Sequence, residues 1–194
     1  ITSHLEAFGP RPDIVVSGPN LGLNTGRSVL HSGTVGAALA AQNFGMRGLA
    51  VSLAVSEAWH FDTACQYAIE LLKALANGPE RCALNLNVPA LPYAQTKGLR
   101  WGGLAEFGSV RSQIVDQAEG KLFFDLVETE YNPPADSDLG LVNAGFAAVT
   151  SLQCSAEVWS ANLAPNTNYQ ATSPMPAASS GDMLKAAQVF GQGN

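Results

Sequence analysis

Apolar and polar positions along the chain fall into blocks that read as strand, loop and helix. Ile14-Val15-Val16 is a short apolar run. It passes into a polar loop holding Gly18, Pro19, Asn20, Gly22, Asn24 and Gly26, and then into Ser32-Gly33-Thr34 ahead of the small helix formers TVGAALAAQNF, Thr34 to Phe44. Gly45 stands where that helix should stop. Leu49 to Leu53 reads as a second buried strand. Asp62 to Ala76 reads as a second helix, with apolar residues at Ala64, Ala68, Leu71, Leu72 and Leu75, and Asn77-Gly78-Pro79 ends it. A third strand, Cys82 to Val88, is closed by Pro89 and Pro92. This succession predicts a Rossmann-like, three-layer α/β/α fold with a mostly parallel sheet, right-handed crossovers and helices on both faces.

Beyond Lys97 the pattern changes. Gly98 to Gly103, Ser109 to Val115 and Lys121 to Thr129 cluster β formers as antiparallel strands or hairpins do. Asn132-Pro133-Pro134 is a turn or linker, and Phe146 to Leu152 a returning strand. The expected organisation is one α/β domain over residues 1–152, with a β-rich arm region at 98–152, and a C-terminal extension over 153–194. Within the extension, Asn166 to Gly181 has the Pro, Ser, Thr and Ala composition of a flexible segment, and Asp182 to Phe190 that of a short amphipathic helix.

Composition narrows the classes of partner. With 194 residues, 46% of them hydrophobic and 13% charged, the chain has enough apolar surface for one core. A net charge of -6 argues against binding a nucleic-acid backbone, which needs clustered Lys and Arg. It also means that a phosphate ester would need a cation beside it. No apolar run approaches the roughly 18 residues of a membrane span. Cys65, Cys82 and Cys154 are odd in number and lack metal-type spacing, which reads as buried, reduced thiols in a cytoplasmic compartment.

The first loop carries the chemistry. Its glycines let backbone N–H groups approach a ligand, Ser32 or Thr34 offers a cap and a hydroxyl, and a helix N-terminus favours an anion. The plainer reading of the same residues is a turn followed by a capped helix. The loop lacks the Lys of a P-loop and the glycine spacing of a dinucleotide fingerprint. The residues alone therefore leave two readings, a capped turn and an anion site of unspecified ligand.

The string SGPNLGLNTGRSVLHSGTVGAA, Ser17 to Ala38, resembles the signature loop of the SurE survival-protein family. Phe61-Asp62-Thr63-Ala64, Leu84-Asn85-Leu86-Asn87-Val88-Pro89, and Asp136-Ser137-Asp138 leading into Asn143 to Leu152 resemble it in the same order. The resemblance runs from about Arg11 to about Leu152 and is looser after Arg100. It implies a metal-dependent phosphatase (5'/3'-nucleotidase) acting on nucleoside monophosphates or other phosphate monoesters, with Mg²⁺ or Mn²⁺ as cofactor. It also implies a homodimer or tetramer, built through a hairpin arm that includes Lys121 to Glu130. The plainer alternative is a hairpin packed on its own subunit.

Carried over residue by residue, the resemblance makes Asn20 a metal ligand, assigns Asn24, Ser32, Gly33 and Thr34 to phosphate, and leaves Gly18, Gly22 and Gly26 to shape the loop. It also implies an earlier strand ending in Asn-Asp-Asp, whose two Asp bind the metal, and a further Ser ligand. The sequence contains no Asp-Asp pair and opens on Ile1, so the expectation is a chain whose beginning is missing and which is inactive by itself. The rival reading is a non-catalytic relative that uses the loop to bind nucleotide or phosphate, or only to assemble. A serine hydrolase is disfavoured because no G-x-S-x-G elbow occurs. His31 reads as structural, Asp62 as the N-cap of the second helix instead of an acid–base partner of His60, and His4 carries no signal.

Overall fold

The computed structural model describes residues 1–118 and 120–153; Cys154 and the expected flexible segment and terminal helix lie outside the described residues. A five-stranded sheet runs in the order β1-β2-β3-β7-β4: β1 Ile14–Leu21, β2 Arg47–Leu53, β3 Ala83–Val88, β7 Ala147–Leu152 and β4 Leu99–Trp101. β1, β2 and β3 are parallel, β7 is antiparallel to β3, and β4 pairs in parallel with β7. Thus β4, expected in an antiparallel arm, is an edge of the main sheet. β5 Val110–Ala118 and β6 Lys121–Glu128 form a separate antiparallel hairpin. The helices are α1 Gly33–Asn43, α2 Phe61–Ala76 and α3 Asp138–Asn143. None of the described helices is long and apolar enough to cross a membrane.

The alternation of strand residues divides the sheet into two unlike faces. Leu49, Val51 and Leu53 of β2 and Leu84, Leu86 and Val88 of β3 pack against Ala64, Tyr67, Ala68, Leu71 and Leu75 of α2. On the other face Ala50 meets Val35 and Ala38 of α1, and farther along the strands that face carries the buried polar residues Ser52, Asn85 and Asn87. The aliphatic stripe of α2 has matching partners on the leucine and valine face. The two crossovers β1-α1-β2 and β2-α2-β3 step in the same direction across the sheet, yet their helices lie on opposite faces. The two connections are therefore of opposite hand, which departs from the expectation that both are right-handed.

Local stops follow the sequence more closely. Ser32 is the N-cap of α1, its side chain accepting a hydrogen bond from the Val35 N–H at 3.1 Å, and Gly45 follows the helix at φ +79°. α2 begins at Phe61 after His60, so Asp62 lies inside its first turn and is not its cap. Cys65 is on the exposed side of α2, which corrects its reading as a buried residue, whereas Cys82 is half-buried and packs against the leucine and valine core.

α1 approaches β2 backbone to backbone. A Cβ placed on Gly48 would collide with the carbonyl and Cα of Ala38, whereas one on Gly36, farther up the same helix, would meet nothing. Gly48→Ala should accordingly cost about 1–3 kcal/mol by forcing the helix off the sheet. Gly36→Ala should be neutral or stabilise by up to about 1 kcal/mol through helix propensity. Urea denaturation of both variants reads the difference, and equal effects would contradict the close contact at Gly48.

Candidate functional site

β1 does not end at Val16. It continues through Leu21, and its pairing with β2 shifts between Ser17 and Asn20, where Gly18 and Pro19 form a bulge. Pro19 has no N–H to give the ladder, so the bulge falls where pairing is already interrupted. The residues read as the start of the loop are thus strand residues. Past the bulge, half-buried Asn20 donates its Nδ2 to the Gly22 carbonyl at 2.8 Å, which leaves the amide oxygen as the ligand-capable atom of that side chain.

The next turn is laid onto the polar face of the sheet. The Asn24 N–H donates to Asn87 Oδ1 at 2.8 Å, Asn24 Nδ2 donates to Ser52 Oγ at 2.7 Å, and the Asn24 carbonyl accepts from Asn85 Nδ2 at 2.8 Å and Asn87 Nδ2 at 3.1 Å. Asn24 is 8% exposed and its partners are fully buried. One of its Nδ2 hydrogens and its main-chain N–H are engaged inside the protein, so most of its polar capacity goes to holding the turn. These bonds fix the loop, the shaping role that an Asn at this position can fill beside a contact to phosphate.

Asp138, quoted above only as part of the resemblance, holds the loop after β1 in place. Fully buried at the start of α3, its Oδ2 accepts from the Gly26 N–H at 2.9 Å, and its Oδ1 accepts from the N–H groups of Ala105 and Leu139, each at 2.8 Å. Gly26 sits at φ +52°, and any Cβ there would run into the carbonyls of Phe107 and Ala105. The loop after β1 is therefore pinned by a carboxylate 112 residues away. A signal was present in Ser137-Asp138, since Ser137 caps α3 by accepting from the Gly140 N–H. Gly18 and Gly22, the other loop-shaping candidates, have φ of +112° and +113°.

From Gly26 the chain enters a short 3-10 helix, Gly26–His31, which delivers Ser32 to the head of α1. The Val35 N–H bonds to Ser32 Oγ and the Gly36 N–H to the Ser32 carbonyl, so among the described residues the amides of Gly33 and Thr34 are the open pair of this terminus. Gly33 is exposed and a Cβ on it would touch nothing. Ser32, Gly33 and Thr34 therefore stand together at the head of α1, with the two open N–H groups between them. His31 is exposed beside them.

A cation would find less. No group of three His, Cys, Asp or Glu that could hold a metal lies among the described residues. The orphaned buried oxygens are those of Thr25 and Asn85, both neutral and both at the Asn24 turn. Asn20 offers a single uncharged oxygen, whereas Mg²⁺ and Mn²⁺ call for several oxygen donors with carboxylates among them. The described residues do not by themselves form a site that fits such an ion.

Residues 1–110 match the family model described as Survival protein SurE. A 5'/3'-nucleotidase SurE of Yersinia pestis (strain Pestoides F) is 39% identical over 149 residues, which cover 74% of this chain and 58% of that protein. The 5'/3'-nucleotidase SurE of Yersinia pseudotuberculosis serotype O:1b is 37% identical over 157 residues, or 78% of this chain and 61% of that protein. The crystal structure of the SurE protein from Aquifex aeolicus superposes with a TM-score of 0.63 at 27% identity, covering 75% of this chain and 61% of that one. The chain thus spans less than two thirds of the length of these relatives.

Burial, the largest influence, raises the Asp138 carboxyl above its ordinary value of 3.8, opposed by the backbone N–H groups of Ala105, Gly26 and Leu139. A folded state that holds this proton more tightly gains stability that is complete below pH 3.8 and is lost as pH rises through the raised value. Asp138→Asn sets an amide donor against the Gly26 N–H and should cost about 1–3 kcal/mol. The deficit relative to the parent should be largest near the acid end and narrow toward neutral pH. Paired denaturant titrations across that range test the sign, and a deficit that widens with pH would reverse it.

Proposed function

Because the chain belongs to the SurE survival-protein family, we propose that it supplies the phosphate-binding part of a phosphatase that hydrolyses nucleoside monophosphates to nucleoside and phosphate. The observation that carries this reading is the open pair of N–H groups at Gly33 and Thr34, presented at a capped helix terminus beside the carboxyl ends of parallel strands. The names of the Yersinia relatives, 5'/3'-nucleotidase, support an enzyme over a purely binding relative. Cytoplasmic location and metal dependence belong to the same proposal.

In this reading two non-bridging phosphate oxygens accept from the Gly33 and Thr34 amides, with the positive end of α1 behind them. Ser32 keeps its oxygen on the Val35 N–H, which holds the terminus in register, and its hydroxyl proton is free to reach a third oxygen. Asn20 lies earlier on the same segment, after the bulge, with its amide oxygen as the one candidate metal donor among these residues. A divalent cation would supply charge neutralisation and an activated water. The residues present do not complete its coordination, and the steps assigned to this chain are phosphate capture and orientation.

The hairpin supports assembly with a second copy. Ile114, Val115, Phe124 and Leu126 are each 55% exposed or more; the pairing of Ile114 with Phe124 and of Ser112 with Leu126 puts Ile114, Phe124 and Leu126 on one face, with Val115 at the register shift. An isolated two-stranded hairpin is marginal in water, and an exposed apolar surface of this kind marks an interaction site. A second copy, contributing the same apolar hairpin face, is the occupant such a self-complementary surface fits.

Gly33→Val tests the phosphate reading, because the space around Gly33 tolerates a side chain while a ligand on its amide does not. In the full-length protein, phosphate release from nucleoside monophosphates with Mn²⁺ should fall at least tenfold in kcat/KM, with the melting temperature almost unchanged. Undiminished activity would remove Gly33 from the site. For assembly, Phe124→Asp should shift the light-scattering mass of the full-length protein to that of a monomer, and an unchanged mass would separate the hairpin from oligomerisation.

A further inference from the structure

Two clefts flank the loop after β1, and their charges differ. One, of about 530 Å³, is lined by Leu21, Val55, Leu139 and Tyr131, and Glu128 is its charged residue. The other, of about 550 Å³, has Asn24 and Ser32 in its wall and gathers Arg27, His31 and Arg111 around it. The two share Leu23, Val110, Leu126 and Thr129, so they diverge from the base of the hairpin. In a chain of net charge -6, the second cleft concentrates cationic and imidazole groups at the edge of the phosphate loop.

These groups are poorly neutralised. Arg27 lies 3.6 Å from Glu106, but both side chains are more than half exposed, and such a pair screens little charge. The Arg27 guanidinium also rests over the Phe107 ring, 5.1 Å from its centroid, which fixes it at the cleft wall. Among the described residues Arg111 makes no salt bridge. Ser32 belongs both to the head of α1 and to this cleft, so an anion in the cleft is a neighbour of an anion on the Gly33 and Thr34 amides. Gly33 and Thr34 are not in the wall of this cleft, so a phosphate on their amides leaves it to another part of the ligand, and its volume is in the range that holds a small ligand group.

We propose that this cleft receives a second phosphate group of the substrate, so that the favoured class is a nucleoside carrying phosphates at both its 3' and 5' positions. The inference rests on the phosphatase reading and adds to it a binding subsite built by Arg27, Arg111 and His31. Guanidinium groups suit that role, since they stay charged and pair with phosphate oxygens through two parallel N–H donors. The reaction itself is unchanged: water breaks one ester bond, and the second phosphate is held without being cleaved.

The test is isothermal titration of the full-length protein with adenosine 5'-monophosphate, adenosine 3',5'-bisphosphate and inorganic phosphate. The expected result is a bisphosphate Kd at least tenfold below that of the monophosphate. In Arg111→Ala that ratio should fall below two, and in Arg111→Lys it should be intermediate, with melting temperature and oligomeric mass confirming that both variants fold and assemble. Equal binding of mono- and bisphosphate by the parent protein, or a preference that survives Arg111→Ala, overturns the subsite while leaving the monophosphatase reading standing. Binding of inorganic phosphate but neither nucleotide overturns both.

Discussion

Ser52, Asn85 and Asn87 are fully buried on one face of the sheet, and the fold has to satisfy their amide and hydroxyl groups without water. An unpaired amide in such a place costs on the order of 1–3 kcal/mol. The backbone and side chain of Asn24 meet most of that demand with four hydrogen bonds, leaving Asn85 Oδ1 without a partner, so the turn after β1 has to lie across this face. Once it does, α2, whose partners are aliphatic, is left with the opposite face, where Leu49 to Leu53 and Leu84 to Val88 present every second residue. The opposite hand of the two crossovers follows from this division of polar and apolar surface between the faces.

The same constraint explains how the candidate site is built from distant parts of the chain. Asn24 is tied to residues 61 and 63 positions later, and Gly26 to Asp138, 112 positions later. Between these clamps the chain cannot slide, and the 3-10 helix carries the fixed register forward to Ser32. The clamp at Asp138 is in tension: burial disfavours its charge while three backbone N–H groups favour it. Such a group suits a role in holding a loop, because removing either the oxygen or the N–H groups leaves buried polar atoms without partners.

Much of this was legible in the sequence where local rules decide. Ser32 is the cap, Gly45 the stop and Asn77 the end of α2, each for reasons contained within a turn of helix. Strands β2 and β3 were legible from apolar runs, and the SurE resemblance from motif strings. What was not legible depends on partners far away in sequence. The bulge at Gly18 and Pro19 exists only against β2, so the end of β1 was read as loop. Asn24 looks like any loop Asn until Asn85 and Asn87 are placed beneath it. β4 reads as a short β-forming run, and its parallel partner β7 begins only at Ala147. Asp62 has the chemistry of a cap, but the helix starts two residues too early for it to serve as one.

The hairpin joins the two remaining features of the molecule. Its strands carry apolar residues that the described subunit does not cover, while at its base Val110, Leu126 and Thr129 form walls of both clefts and Arg111 lines one of them together with Arg27. A two-stranded hairpin with nothing packed on it has little stability of its own. The position of Arg111 is therefore only as well defined as the surface that covers Ile114, Phe124 and Leu126. If a second copy provides that surface, assembly and the shape of the substrate cleft are one equilibrium: contacts that order the arm also preorganise the guanidinium, and preorganisation is where much of the affinity for a charged ligand originates. A change far out on β6 then weakens anion binding without touching a ligand, by loosening the base of the strand pair that holds Arg111.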